Sequence, residues 1–232
     1  LLMEASMIPL KDTLKPRTFP YVNVCIIIFS VLVFVGETTL NDLDLTEVYY
    51  NLGLVPYWFL ENISSGNLGA ALLPLFTSLF LHGGWFHIIS NMLFLWVFGD
   101  NVEDRMGHLR YLGFYLSVGA LGNLAQIIAA PQSTIPIIGA SGAVAGILGA
   151  YYVSFPRAKV LALIPIIFFF TFMEVRATVF IIFWFVLQVF NGIFSLTGVG
   201  NSVAWWAHIG GFLGGFILTP FLGKTRKLIY PE

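Results

Sequence analysis

The residues best suited to chemistry in this sequence begin with Ser141, which carries the only polar side chain between Ile138 and Gly149. Gly139 and Gly142 leave its hydroxyl without bulky neighbours, so a substrate backbone can come close and backbone N–H groups can face a developing negative charge. Taken alone, this run fits close packing of two membrane helices better than a nucleophile. Alanine at position 143 excludes the Gly-x-Ser-x-Gly elbow of soluble hydrolases.

A second run of small residues, Ala207 to Gly211, contains the base that a nucleophilic serine needs. His208 can accept the serine proton as a general base and return it to a leaving amine as a general acid. No carboxylate lies in an apolar segment near His208, so the sequence predicts a Ser-His dyad instead of a triad. Which group orients the imidazole stays open.

Two further polar residues, His87 and Asn91, are four positions apart and therefore share one face of a helix. They are predicted to donate hydrogen bonds to the oxyanion of a tetrahedral intermediate, together with the backbone N–H of Ser141. Hydrogen bonding between helices explains this pair equally well when it is taken alone. A histidine within a membrane span is nevertheless a functional candidate, because burying it there is costly.

Metal binding is a weaker interpretation of the histidines. His82 and His87 are five residues apart, whereas the His-Glu-x-x-His pattern needs four, and no third ligand cluster is evident. We therefore expect neither a metal nor another cofactor. His82 is interpreted as a structural hydrogen-bonding residue, and His108 as a solvated residue in a turn.

Composition places these residues in a membrane protein. Of the 232 residues, 58% are hydrophobic and only 10% are charged, against roughly 25% charged residues in soluble domains. The mean hydropathy is +0.87. A formal net charge of -1 and the lack of a nucleic-acid-binding motif argue against a nucleic-acid partner. The single cysteine, Cys25, excludes an intrachain disulfide.

Six apolar segments are predicted to span the membrane: residues 21–36, 72–99, 109–130, 137–155, 177–196 and 203–222. The stretch from Val160 to Met173 is not counted, because it has only 14 residues and contains Pro165. The predicted fold class is therefore all-α. Residues 1–232 are expected to form one six-helix membrane domain, with a cytoplasmic N-terminal segment at 1–20, an outer interfacial loop at 37–70 and a polar inner turn at 100–107.

The cations predict how these spans are oriented. With the N-terminus inside, all 11 Lys and Arg residues fall on the cytoplasmic side, as the positive-inside rule requires. A seventh span at Val160 to Met173 would put Arg176 and the three C-terminal cations outside. Both termini are therefore expected in the cytoplasm.

Spans two, four and six then run in the same direction. Ser141 and His208 each lie about five residues past the start of a span, roughly 7 Å along its axis, and this equal depth favours a hydrogen bond between them. Small residues at four-residue spacing predict that spans four and six approach closely. They are Ser141, Ala145 and Gly149 in span four, and Ala207, Gly211 and Gly215 in span six.

Four motifs together resemble the rhomboid family of intramembrane serine proteases: His82-Gly-Gly-Trp-Phe-His87-Ile-Ile-Ser-Asn91, Glu103-Asp-Arg105, Gly139-Ala-Ser141-Gly142 and Ala207-His208-Ile-Gly-Gly211-Phe-Leu-Gly-Gly215. The resemblance implies Ser141 as nucleophile, His208 as base, and His87 and Asn91 as oxyanion donors. It also implies that Glu103 and Arg105 form a structural pair in the inner turn, and that Gly142, Gly211 and Gly215 are structural. A substrate helix would reach the site near span five.

The chain departs from the family pattern at two places. The Trp-Arg pair of some members is absent from the first loop, where this chain has Leu73-Pro74-Leu75-Phe76. Ala145 stands where some members place a tyrosine that stacks on the histidine. The sequence therefore does not say what holds His208.

The predicted function is that of an intramembrane serine endopeptidase, acting in the lipid bilayer on single-span transmembrane proteins near the outer membrane face. Its substrates should carry small or helix-breaking residues near the cut, because a helix hides its carbonyls in its own hydrogen bonds. The alternative is a catalytically silent rhomboid-like protein that binds membrane helices. A transporter would instead show broken helices and internal repeats. By resemblance, a compact member of this kind is expected in a prokaryotic cell membrane.

Overall fold

Helices make up most of the chain that the computed structural model describes, which comprises residues 7–166, 169–197 and 203–222. The three strands are β1 (Ile8–Asp12), β2 (Lys159–Ile166) and β3 (Phe169–Arg176). The helices are α1 (Tyr21–Glu37), α2 (Asp42–Leu52), α3 (Pro56–Ser64), α4 (Leu68–Leu72), α5 (Pro74–Thr77), α6 (Trp85–Phe94), α7 (Asp100–Met106), α8 (His108–Ala129), α9 (Ser141–Ser154), α10 (Ala177–Ser195) and α11 (Trp205–Leu222). A π-helical segment, Leu95–Gly99, joins α6 to α7.

Three of these helices, α8, α10 and α11, are long and apolar enough to cross a membrane. A fourth crossing is formed if Leu68–Phe80 and Trp85–Met106 are taken as one span, although the two parts are bent by 84°. Helix α1 is apolar but shorter, and α9 has 14 residues, most of them buried. These helices are those of an integral membrane protein.

The first half of the chain differs from its prediction. Residues 37–70 were expected to form a loop, but they contain α2, α3 and the start of α4. Asn41 explains the start of α2, since its side chain accepts hydrogen bonds from the backbone N–H groups of Leu43 and Asp44. The bend after Phe80 means that α6 begins only at Trp85, and the predicted polar turn at 100–107 is largely helical.

A three-stranded antiparallel sheet in the order β1-β2-β3 shows that the all-α prediction was wrong in this respect. The stretch that was too short to be a span forms the hairpin β2–β3, in which Ala162 pairs with Met173. Strand β1 adds to β2, with Ile8 opposite Leu163. Pro165 is compatible with this sheet because it lies beyond the part of β2 that pairs with β1. The sheet therefore links α9, which precedes it, to α10, which follows it.

Helix α9 is mostly buried and packs against α8 and α11, which also pack against each other. A Cβ atom at Gly211 would collide with the carbonyl oxygen of Gly142, and one at Gly215 with that of Gly146. Gly149 touches the backbone of α11 at Phe212 in the same way. The close approach of spans four and six is thus present, but α9 uses Gly142 and Gly146 in place of the predicted Ser141 and Ala145.

The cations whose membrane side was predicted lie in the sheet or near helix ends. Lys11 is in β1, and Arg176 ends β3 next to α10. Arg105 lies in the last turn of α7, and Arg110 in the first turn of α8. The cations Lys224, Arg226 and Lys227, like residues 1–6, lie outside the described residues.

Candidate active site

Ser141 is the first residue of α9 and directly follows a tight turn at Gly139 and Ala140. Gly139 precedes it with φ +117°, a left-handed conformation that favours glycine, and donates its N–H to the carbonyl oxygen of Ser78 at 2.9 Å. The first intrahelical bond runs from Val144 N–H to the Ala140 carbonyl, so the N–H groups of residues 141–143 have no acceptor within the helix. Ser141 therefore starts the helix, instead of lying five residues inside it as predicted, and free donors surround it.

His208 is the fourth residue of α11, and it lies next to Ser141. Its Nε2 atom is 2.8 Å from the Ser141 Oγ atom. The histidine is only 6% exposed, whereas the serine is partly exposed. Because α9 and α11 touch through glycine, the two side chains meet across a helix interface that leaves no room for larger residues.

Gln188, on α10, is a site residue that the sequence analysis missed. Its Oε1 atom lies 2.8 Å from His208 Nδ1. The rings of Trp184 and Trp205 flank the imidazole, with centroid distances of 6.1 and 5.9 Å. These three residues hold the imidazole in place. The sequence alone did not identify this support, because Ala145 stands where some family members have a stacking tyrosine. The available signal was a glutamine in the middle of a largely apolar helix.

His87 and Asn91 lie on α6, one turn apart. The Nε2 atom of His87 lies so close to Gly139 that a Cβ atom there would overlap with it, which places the imidazole beside the turn that delivers Ser141. The Nδ1 atom of His87 accepts a 3.4 Å hydrogen bond from Gly83 N–H. Asn91 is 5% exposed, and its Nδ2 atom has no hydrogen-bond partner among the described residues.

Glu103 and Arg105 lie on α7, at the other end from His87 of the helical stretch Trp85–Met106. The Glu103 carboxylate accepts hydrogen bonds from the backbone N–H groups of Val22 and Asn23, at 3.0 and 2.7 Å, and it is also in contact with His108 Nδ1. Among the ion pairs of the described residues, none joins Glu103 to Arg105. Glu103 therefore links α7 to the start of α1 and to His108, and a structural role for Glu103 and Arg105 stays a prediction.

His82 is fully buried and lies beside His87. Its Nδ1 atom is 3.1 Å from the carbonyl oxygen of Phe80, and its ring lies edge-on to His87 at 5.2 Å. The carboxylate of Glu37 accepts the His82 backbone N–H. Across the described ranges, no group of three or more His, Cys, Asp or Glu side chains is placed to hold a metal ion.

Comparison with known proteins identifies the family of this chain. A family model described as "Rhomboid domain" matches residues 70–225, which includes all of α6, α9, α10 and α11. The chain is 34% identical over 216 residues to "Rhomboid protease GluP" of Bacillus subtilis, covering 91% of this chain and 36% of that protein.

Two other relatives match shorter stretches. "RHOMBOID-like protein 5" of Arabidopsis thaliana is 31% identical over 144 residues, which is 62% of this chain and 42% of the relative. The human "Presenilin-associated rhomboid-like protein, mitochondrial" is 30% identical over 100 residues, or 42% and 26% of the two chains. This chain spans less than half the length of each of the three relatives. The match over most of the sequence shows that the chain belongs to the rhomboid family.

Proposed function

We propose that this protein is an intramembrane serine endopeptidase that uses Ser141 and His208 as a catalytic dyad. The observation that carries the proposal is the 2.8 Å contact between His208 Nε2 and Ser141 Oγ. It is supported by the buried Asn91 amide, which has no partner among the described residues. A donor of this kind is costly inside a membrane unless something arrives to accept its hydrogen bond.

The reaction follows from these positions. Ser141 Oγ attacks the scissile carbonyl while His208 Nε2 takes the hydroxyl proton. The negative charge on the carbonyl oxygen is stabilised by His87, Asn91 and the backbone N–H of Ser141. His208 then returns the proton to the leaving amine, and an acyl-enzyme remains. A water molecule, deprotonated by His208, attacks the acyl group and releases Ser141.

The substrates in this proposal are single-span membrane proteins. A transmembrane helix hides its carbonyls in its own hydrogen bonds, so the scissile segment must unwind before Ser141 can attack. Small or helix-breaking residues near the cut make unwinding easier. Helix α10 offers a face for a substrate helix, because Phe183, Phe190 and Phe194 on it are about half exposed.

The proposed topology has one domain and six crossings, by α1, α6 with α7, α8, α9, α10 and α11, with both termini in the cytoplasm. It is supported by the described cations, since Lys11 precedes α1, Arg105 and Arg110 lie near the junction of α7 with α8, and Arg176 lies directly before α10. With Cys25 replaced, a single cysteine at Asn41 or Thr197 should react with a membrane-impermeant thiol reagent from outside, and one at the exposed Arg157 should not. Labelling of position 157 from outside would rule this topology out.

The test of the dyad is covalent labelling by a fluorophosphonate probe together with cleavage of a transmembrane substrate. Ser141→Ala and His208→Ala should each abolish both signals, and the double variant should be no worse, because the two residues act as one unit. Asn91→Ala keeps nucleophile and base, so it should retain slow labelling, with a loss of roughly 10² to 10³ in rate.

A second outcome separates this proposal from its alternative. A well-folded wild-type protein that binds transmembrane helices but neither cleaves them nor reacts with the probe would be a catalytically silent helix-binding protein. Full activity in a well-folded His208→Ala variant would remove the base from the mechanism.

A further inference from the structure

Gln188 is a buried polar side chain on a helix that is otherwise largely apolar. It is 4% exposed, and α10 has lipid-facing residues such as Val186 and Phe190 on the opposite side. Placing an amide inside a membrane helix is unfavourable unless its groups are hydrogen-bonded. Both ends of this amide are bonded, and one of them is bonded to His208.

The hydrogen bonds of Gln188 determine which way its amide faces. Its Nε2 atom lies 3.1 Å from the carbonyl oxygen of Trp184, which can only accept, so the NH₂ group must face it. The Oε1 atom consequently faces His208 Nδ1, at 2.8 Å. Since an amide oxygen can only accept, the proton of a neutral His208 lies on Nδ1.

This tautomer is the one that a general base requires. With the proton on Nδ1, the Nε2 atom of His208 has a free lone pair directed at the Ser141 hydroxyl, 2.8 Å away. The other tautomer would turn an N–H group towards Ser141 and could not accept its proton. A carboxylate in the same place would also accept from Nδ1–H and select this tautomer. It would, however, bring a charge into the bilayer, whereas glutamine is neutral.

We propose that Gln188 is the positioning residue of the dyad, which fixes the His208 ring and selects the tautomer able to deprotonate Ser141. The inference rests on the proposed function. It also places the orienting group on α10, while the nucleophile and the base are on α9 and α11, so the base is correctly set only while α10 is packed against α11.

Two substitutions and a control test this role. Gln188→Met keeps the length of the side chain but removes the acceptor, whereas Gln188→Glu keeps an oxygen that accepts from Nδ1 in either protonation state. Asn191→Met removes an amide from the same helix, three residues further on, where no hydrogen bond to His208 is described. The measurements are kcat and KM for a transmembrane substrate, the rate of fluorophosphonate labelling, and thermal unfolding in detergent.

In Gln188→Met we expect kcat and the labelling rate to fall by about tenfold or more, as part of the roughly 10² to 10⁴ that general-base catalysis contributes, with KM and the melting temperature little changed. Gln188→Glu should restore most of this loss, and Asn191→Met should resemble the wild type. A Gln188→Met protein that labels at the wild-type rate would overturn the proposal. So would a loss of activity that Gln188→Glu does not relieve, or one that follows a fall in melting temperature.

Nitrogen NMR of protein with isotope-labelled histidine provides a readout that does not depend on catalysis. The His208 signal, identified by its absence in His208→Ala, should show the Nδ1–H tautomer in the wild type and a mixture in Gln188→Met. A wild-type protein that does not label refutes the proposed function, and the NMR result then decides on Gln188 alone. Normal labelling with an unchanged tautomer in Gln188→Met refutes the role of Gln188 and leaves the protease proposal standing.

Discussion

Two contacts of α11 are built in opposite ways. Towards α9 it packs through a glycine seam, which consists of Gly211 and Gly215 on α11 and Gly142, Gly146 and Gly149 on α9. Here backbone touches backbone, and an added Cβ atom would collide with a carbonyl oxygen at several positions. Towards α10 it packs through an aromatic flank, in which Phe185 stacks on Phe212 at 4.1 Å and Trp184 lies beside His208.

The difference shows how such a site can be both accurate and accessible. A seam without side chains has no rotamers to change, so the distance between Ser141 and His208 is set by the backbones of two helices. An aromatic flank is held by side chains that can repack, and outside it α10 meets lipid. The helix that can move most easily therefore carries the orienting amide of Gln188, while the reacting atoms stay on the rigid pair.

The largest effect is expected when the seam is broken. In Gly215→Ala a single methyl group would collide with the backbone of Gly146, which cannot move away as a side chain can. We expect unfolding to become easier by about 1–3 kcal/mol or more, measured as thermal unfolding in detergent, and labelling of Ser141 to be lost even where the protein remains folded.

The matched control is Gly113→Ala on α8, a helical glycine that is exposed and has open space around it. Its stability should be unchanged or slightly increased, because alanine favours the helix more than glycine does. Equal stability losses in the two variants would mean that the seam is no more constrained than the lipid-facing surface.

A smaller effect is expected from pH at the sheet that joins the seam to the flank. Asp12 in β1 is buried and accepts hydrogen bonds from Tyr151, on α9, and from Asn101, on α7. Burial raises the pKa of Asp12 from 3.8 to about 6, opposed by the bond from Tyr151 and the charge of Lys11. Between about pH 4 and pH 6 the folded protein therefore holds more protons on Asp12 than the unfolded chain does.

The stability that Asp12 contributes is fully present below about pH 4 and is lost as the pH rises through about 6, by roughly 3 kcal/mol at most. Asp12→Asn keeps an acceptor for Tyr151 and Asn101 and should remove this loss. The neighbouring Asp100, whose side chain also accepts from Asn101, stays in both proteins but interacts with the charge of Asp12, so the difference between their melting curves from pH 4 to 8 reports Asp12 together with its effect on Asp100.

The control for the pH experiment is Glu174→Gln in β3, whose carboxylate is exposed and paired with Lys159 at 3.6 Å. It should leave the pH dependence almost unchanged. If Asp12→Asn showed the same pH dependence as the wild type, Asp12 would not be the group responsible. A change in labelling rate without a change in stability would show that the sheet acts on the seam itself.

Much of the seam was predictable from the sequence, because it depends on residue types along single helices. Small residues at four-residue spacing indicated that spans four and six approach closely, and α8, α10 and α11 begin and end within about two residues of the predicted spans. The pairing of Ser141 with His208 was inferred from their equal depth. The structure brings these two side chains together.

The flank and the sheet were harder to predict, because they depend on contacts between distant parts of the chain. Strand β1 and its partner β2 are about 150 residues apart, and no local pattern links them. Gln188 is recognisable as an unusual residue on α10, but its role depends on the rotation of α10 towards His208. The break before Trp85, which follows His82-Gly-Gly, was hidden by the continuous hydrophobicity of residues 72–99.

The smallest effect is expected at the outer half of the flank, where α10 is proposed to affect the access of substrate to the site and not the stability of the fold. Phe190 and Phe194 on α10 are 60% and 54% exposed, whereas the described ring contacts of α10 with α6 lie further in, from Phe94 to Phe180 and Trp184. Trimming both exposed residues to alanine should barely alter thermal unfolding, because their rings face lipid. If substrate helices arrive along this face, the double variant should cleave a membrane-embedded substrate up to about fivefold faster, which corresponds to roughly 1 kcal/mol, with little change for a soluble peptide.

Val179→Ala, at the inner end of the same helix and equally exposed, should affect neither substrate. Equal acceleration of both substrates would show that the phenylalanines act on the dyad, and no acceleration of either would place substrate access on another face of the bundle.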